Sequence, residues 1–147
     1  MVKEFGAACN QGAQISQTKY LLFLNPDTLL FTDSLVIPIN VMEKNSDIGI
    51  VGIQLIDSAG KIQKKFPSTK KFICEITGLE KIFPKWFSGT EMNYWWHSQN
   101  KIVSQVIGAF YLIRSELFTS LNGFDEDYFV YYEEVDLSLR AYIEMSI

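Results

Sequence analysis

Asp27 closes the tripeptide Asn25-Pro26-Asp27, directly behind the apolar run Tyr20-Leu21-Leu22-Phe23-Leu24. A carboxylate at the end of a buried strand is held rigidly and can reach a ligand above the sheet. Hard cations such as Mg²⁺ or Mn²⁺ take one or two carboxylates together with phosphate oxygens and water, so Asp27 is a candidate ligand for a divalent metal on a diphosphate. A plain turn has the same composition, because Asn, Pro and Asp all favour one. The second acidic place is 123–136, Gly-Phe-Asp-Glu-Asp-Tyr-Phe-Val-Tyr-Tyr-Glu-Glu-Val-Asp, which holds six of the 17 acidic residues beside a run of aromatic rings. Like charges this close repel by ~1 kcal/mol per pair at 4 Å even in water, unless a cation, an arginine or hydrogen-bond donors offset them. Sugar hydroxyls are such donors, and aromatic rings cover the apolar faces of sugars. Glu133, Glu134 and Asp136 equally suit the first turn of a helix, where the macrodipole favours negative charge. Asp136 with Arg140 at i, i+4 can also be a solvated pair worth about 0.3–0.5 kcal/mol.

Other residues carry weaker signals. Gly6, Asn10 and Gly12 form a glycine-containing turn or helix start that could approach a ligand, without the preceding strand of a dinucleotide fingerprint. Trp95 and Trp96 either stack on a saccharide or cover an apolar face. His97 is the single histidine and reads as a loop residue, and no serine or cysteine stands in an arrangement with it that suggests a nucleophilic triad. Cys9 and Cys74 are too far apart for a metal knuckle and read as buried thiols of a reducing compartment.

The elements that must position these residues alternate. The run 20–24 suits a strand covered on both faces, as in a parallel sheet. A helix follows from Thr32 or Asp33 with Leu35, Ile39 and Met42 on one side, kinked or delayed by Pro38 and ended at Asn45-Ser46-Asp47. A second strand is expected over 48–56, then a turn at 57–60 and a hairpin arm over 61–66. The stretch 70–99 is part helix, part loop. Strand character resumes over 103–113, a short helix over 115–121 stops at Asn122-Gly123, and a last helix from Glu133 buries Val135, Leu139 and Tyr142. The alternation predicts an α/β domain with a mainly parallel sheet flanked by helices, whose sites collect at the carboxyl ends of strands.

Size and charge narrow the function further. The 147 residues make one domain's worth of chain. The net charge of −4 has the wrong sign for a protein that neutralises phosphates, so nucleic acid is not an expected partner. Hydrophobic residues make up 48% and charged residues 20%, which excludes disorder and predicts some exposed apolar surface. No apolar run approaches a transmembrane span, and a cytoplasmic location is expected.

Four ordered blocks resemble glycosyltransferase family two, and within it the rhamnosyltransferase-like enzymes of bacterial surface polysaccharides. They are residues 20–28 (Tyr-Leu-Leu-Phe-Leu-Asn-Pro-Asp-Thr), Gly49-Ile50-Val51-Gly52, residues 108–114 (Gly-Ala-Phe-Tyr-Leu-Ile-Arg), and Gly123-Phe124-Asp125-Glu126 through Tyr132-Glu133-Glu134-Val135-Asp136-Leu137. The resemblance runs from the 6–10 block to about Tyr142 and implies a GT-A fold, a nucleotide-diphosphate sugar donor and a divalent metal. It also implies inversion at the anomeric carbon and a saccharide or lipid-linked saccharide acceptor, with work at the cytoplasmic face of the membrane compatible. By this resemblance Asp27 holds the metal, Asn25, Gly6 and Asn10 lie on the donor side, and Gly108, Ala109, Asp125, Glu126, Glu133 and Asp136 shape the acceptor site. Glu134 falls on the catalytic base, where the family has the shorter aspartate. Relatives begin with strands that bind the nucleotide base and end with a histidine that completes the metal site. Against them the expectation is one partial domain over 1–147, truncated at both ends, with an uncovered apolar edge, a tendency to homo-oligomerise and little or no turnover. The alternatives are a non-catalytic saccharide- or protein-binding remnant, whose binding would depend on Trp95, and a nucleotidyltransferase, for which a basic glycine-rich phosphate loop is missing.

Overall fold

The computed structural model describes residues 5–62, 100–103, 105–128 and 132–145, so the readings for Trp95, Trp96, His97, Cys74 and most of 61–99 lie outside the described residues. The chain forms two compact units, one of residues 1–53 with 106–147 and one of residues 54–105. In the larger unit the order is α1 (Phe5–Gln14), β1 (Tyr20–Leu24), α2 (Asp33–Lys44), β2 (Ile50–Val51), β3 (Phe110–Arg114), α3 (Ser115–Ser120) and α4 (Glu133–Met145). In the smaller unit Ile56 and Ile62 form an antiparallel bridge around a turn. Asp57 shapes that turn, its Oδ1 accepting from the Ala59 and Lys61 N–H groups.

The α/β class holds, but the sheet is not parallel. Its order is β1-β3-β2, and β3 pairs antiparallel with both neighbours, Phe23 opposite Tyr111 and Ile50 opposite Ile113. β1 and β2 run the same way only because β3 separates them. An apolar run reports burial and not direction: β3 is the central strand, four of its five residues buried, while in β1 only Phe23 is.

Two strands are shorter than expected. The run 48–56 keeps only Ile50 and Val51 as strand, bounded by glycines with neighbours pressed against them. A Cβ on Gly49 would collide with Leu117, and one on Gly52 with Val106. The run 103–113 becomes strand only at Phe110, because the chain turns at Gly108 and Ala109, where the Phe110 N–H donates to the Ile107 carbonyl at 3.3 Å.

The helices follow local chemistry. Before α2, Phe31 and Ser34 hold each other, the Phe31 N–H donating to Ser34 Oγ and the Ser34 N–H to the Phe31 carbonyl, both at 3.0 Å. Pro38 sits inside α2; of the expected inner side Met42 is buried and Ile39 packs against the core with it, whereas Leu35, a turn earlier, is exposed and Pro38 is buried in addition. α3 stops as predicted: Asn122 and Gly123 take left-handed φ values of 59° and 73°, and the Gly123 N–H closes on the Phe118 carbonyl at 2.9 Å. α4 buries Val135, Leu137, Ser138 and Ala141, while Tyr142 is 60% exposed. The expected apolar surface is present around the start of α2, where Leu29, Phe31, Val36 and Ile37 are exposed. No helix among the described residues is long and apolar enough to cross a membrane.

One side chain ties the sheet to α2. Arg114, the last residue of β3, donates from Nη2 to the carbonyls of Met42 (2.6 Å) and Asn45 (3.0 Å) and from Nε to that of Ile48 (2.8 Å), and lies over the Tyr20 ring. It thereby satisfies carbonyls at the end of α2 that the helix leaves without partners. Arg114→Met keeps the apolar stem and removes these bonds. It is expected to lower stability by about 2–3 kcal/mol, measured by urea denaturation.

Candidate functional site

The site begins where β1 ends. The Asn25 N–H donates to the Ala109 carbonyl at 3.2 Å, continuing the β1/β3 ladder for one step past Leu24. The chain then turns at Pro26: the Thr28 N–H returns to the Asn25 carbonyl at 3.0 Å, and Thr28 Oγ1 donates to the same Ala109 carbonyl at 3.4 Å. Asn25 is half-buried and Asp27 is exposed at the tip. The turn is thus fastened to the residue that precedes β3.

Glu134 reaches the same place from the other direction. Its Cδ and Oε1 lie 3.5 and 3.6 Å from where a Cβ on Gly108 would stand, so the carboxylate lies against Gly108 at about van der Waals distance from that position. The Asn25 to Thr28 turn and the Glu134 side chain thus touch two adjacent residues, Ala109 and Gly108. Burial raises the Glu134 pKa above the ordinary carboxylate range, and the charge of Glu133 pushes the same way. The backbone amides of Glu134 and Gly108 act against this shift without cancelling it. A carboxylate so placed is a better proton acceptor than a free glutamate.

The start of α4 is set from both sides. Tyr132, immediately before it, has φ 77°, an unfavourable value for an aromatic residue. Tyr132 thus carries a backbone cost of the kind found at functional loops, whereas the left-handed Asn122 belongs to the α3 stop. Further along, Ser138 Oγ donates to the Glu134 carbonyl at 2.7 Å and shares a 3.1 Å hydrogen bond with the buried Tyr111 hydroxyl, which roots the first turn of α4 in β3.

The other acidic residues have local tasks. Asp136 pairs with Arg140 at 2.6–2.7 Å. Asp125 Oδ1 accepts from the Asp127 N–H, and Glu126 Oε1 accepts from Asn10 Nδ2 at 3.0 Å. Glu133 Oε2 is buried without a hydrogen-bond partner. Its charge adds to the burial that pushes the half-buried Cys9 thiol up to about 11, which leaves Cys9 protonated and unreactive at neutral pH. Gly6 and Asn10, assigned by resemblance to the donor side, lie in α1, where both meet the Phe124 segment: a Cβ on Gly6 would stand 3.3 Å from Phe124 Cβ. Phe124 itself is buried among the rings of Phe5, Phe23, Tyr111 and Phe118. What the sequence reading missed is the reach of Asn10 and Arg140. Arg140 donates to the carbonyls of Leu121 and Gly123 as well as pairing with Asp136, which is more than an i, i+4 ion pair on a solvated face.

The donor set bears on what cation it could hold. Among the described residues no group of three or more His, Cys, Asp or Glu side chains could hold a metal ion. One exposed aspartate fits a cation that arrives with diphosphate oxygens, which supply the remaining ligands, and does not fit a metal held by this chain alone.

With this geometry the comparison with known proteins gains weight. Over 127 residues, 82% of its length, the chain is 33% identical to rhamnosyltransferase WbbL of Escherichia coli (strain K12). It is similar to a sugar transferase. The chain spans just under half of that relative, 45% of its length. No family model matches the sequence, and no solved structure matches it.

Proposed function

We propose that this chain carries the metal-binding turn and the acceptor base of an inverting, GT-A-type glycosyltransferase, which moves a sugar, rhamnose by analogy with its relative, from a nucleotide diphosphate to a saccharide or lipid-linked saccharide acceptor. The observation that carries the reading is the convergence of the Asn25 to Thr28 turn and the Glu134 carboxylate on Gly108 and Ala109. A leaving diphosphate and an attacking hydroxyl must lie on opposite sides of one anomeric carbon, and in this reading the turn serves the first and Glu134 the second.

The Asp27 carboxylate would hold Mg²⁺ or Mn²⁺ on the donor diphosphate, where a divalent ion supplies Lewis-acid stabilisation of the leaving group. Glu134 takes the proton of the acceptor hydroxyl as its oxygen attacks the anomeric carbon and the bond to the diphosphate breaks. Its raised pKa suits that task, since a base that holds its proton more tightly gives more driving force to the transfer. The glutamate that stands here where the resembling family has the shorter aspartate lies against Gly108.

Calorimetric titration of the purified chain with Mn²⁺ and a panel of nucleoside diphosphates tests the donor half of this reading. Saturable binding that requires both components is expected. Binding of neither, or binding of nucleotide indifferent to Mn²⁺, would remove the role given to Asp27.

A further inference from the structure

Asn10 lies in the body of α1, 114 residues away in sequence from the residue it holds. Its Oδ1 accepts from the Phe124 N–H at 2.9 Å, and its Nδ2 donates to the Phe124 carbonyl at 2.9 Å and to Glu126 Oε1 at 3.0 Å. Both Nδ2 hydrogens are thereby engaged on the loop. The fit is close, since a Cβ on Gly123 would collide with Asn10 Oδ1. Arg140 grips the same loop from α4, through the Leu121 carbonyl at 2.5 Å and the Gly123 carbonyl at 2.9 Å, while Asp136 holds the guanidinium. The segment 121–126 is thus fixed at successive points by side chains of two helices, one of which begins with Glu133 and Glu134.

We infer that Asn10 is a positioning residue, which with Arg140 holds the 121–126 loop in one arrangement beside the start of α4 and so presents Asp125 and Glu126 to the acceptor. Its side chain has no N–H left to donate to a diphosphate oxygen, since both Nδ2 hydrogens are engaged on the loop. What the loop binds rests on the transferase reading; the clamp itself does not. A ligand-independent clamp means that the acceptor side is formed before substrate arrives, so its loss raises the acceptor requirement and leaves donor binding alone.

Asn10→Asp tests this with little change in shape. It keeps the acceptor facing the Phe124 N–H and turns the donor into a carboxylate oxygen that faces the Phe124 carbonyl and Glu126. Adding Glu126→Gln to the same chain returns a donor to the pair. Placing a carboxylate oxygen against the Phe124 carbonyl and Glu126 loosens the loop, so hydrogen exchange of the full chain is expected to show the Phe124 amide exchanging about tenfold to a hundredfold faster in Asn10→Asp, with partial recovery in the double variant. Glu126→Gln alone keeps both Phe124 bonds and is expected to keep the Phe124 amide protected. In a transfer assay with a nucleoside diphosphate-rhamnose and an alkyl glycoside, Asn10→Asp is expected to raise KM for the glycoside and not for the donor. Unchanged exchange in Asn10→Asp, or a rise in donor KM in place of glycoside KM, would overturn the inference. A parent chain that shows the exchange pattern but binds no nucleoside diphosphate with Mn²⁺ defeats the transferase reading and leaves the clamp standing.

Discussion

Replacing Asp27 by asparagine is expected to abolish Mn²⁺-dependent nucleoside diphosphate binding and to lower sugar transfer by about a hundredfold to a thousandfold, while the fold is untouched. The turn is held by the Asn25 N–H on the Ala109 carbonyl, the Thr28 N–H on the Asn25 carbonyl and the Thr28 hydroxyl on Ala109. Those bonds run through backbone and Thr28, so an isosteric amide at an exposed tip should alter stability by no more than about 0.5 kcal/mol. The functional loss should be large for a different reason. A neutral amide is a poor ligand for a hard cation, and Lewis-acid stabilisation of a leaving diphosphate accounts for several kcal/mol of transition-state charge. Calorimetry with Mn²⁺ and nucleoside diphosphate, beside a melting curve, separates the two effects. If the variant binds metal and nucleotide as the parent does, the turn is only a turn.

How far this site could be read from the sequence depended on whether its parts are local. The strand 20–24, the turn behind it, the α3 stop at Asn122-Gly123 and the α4 start at Glu133 are each written in a few adjacent residues, and the structure has them in place. The direction of β3 is not written locally, because an apolar run is the same read either way. It follows from the β1/β3 and β2/β3 pairings, which join residues about 90 and 60 positions apart. The short β2 was hidden for a related reason: Gly49 and Gly52 look like tolerated strand residues until Leu117 and Val106 are seen against them. At the site, Asp27 stands out by type and position and the acidic segment 123–136 by composition, but Glu134 within that segment, and Gly108 and Ala109 beside it, are singled out only through the resemblance. Asn10 and Arg140 carried no signal of their tasks, since their partners are backbone groups, and every residue has those.

The second large effect is expected at Glu134, where function and stability should move in opposite directions. Glu134→Gln keeps the shape over Gly108 and removes the ionisable group, so kcat should fall by about a hundredfold to ten-thousandfold with donor binding preserved. In the parent chain the base works only when ionised. Transfer should therefore rise with pH through a value above the ordinary carboxylate range, the direction set by burial and by Glu133, and the residual activity of the variant should lack that step. Stability carries the opposite sign. A glutamate whose pKa is raised in the folded chain binds more protons there than in the unfolded chain. The fold consequently loses stability as pH climbs from the ordinary value to the raised one, and does not recover it above. Glutamine never ionises, so Glu134→Gln should be more stable than the parent at neutral pH and indistinguishable from it well below the ordinary carboxylate range. Denaturation curves at acid and neutral pH, set beside a pH profile of transfer, measure both. A variant that loses activity and stability together would make Glu134 a structural residue. One that gains stability while losing transfer has given up a buried charge that the fold tolerates for the sake of the reaction.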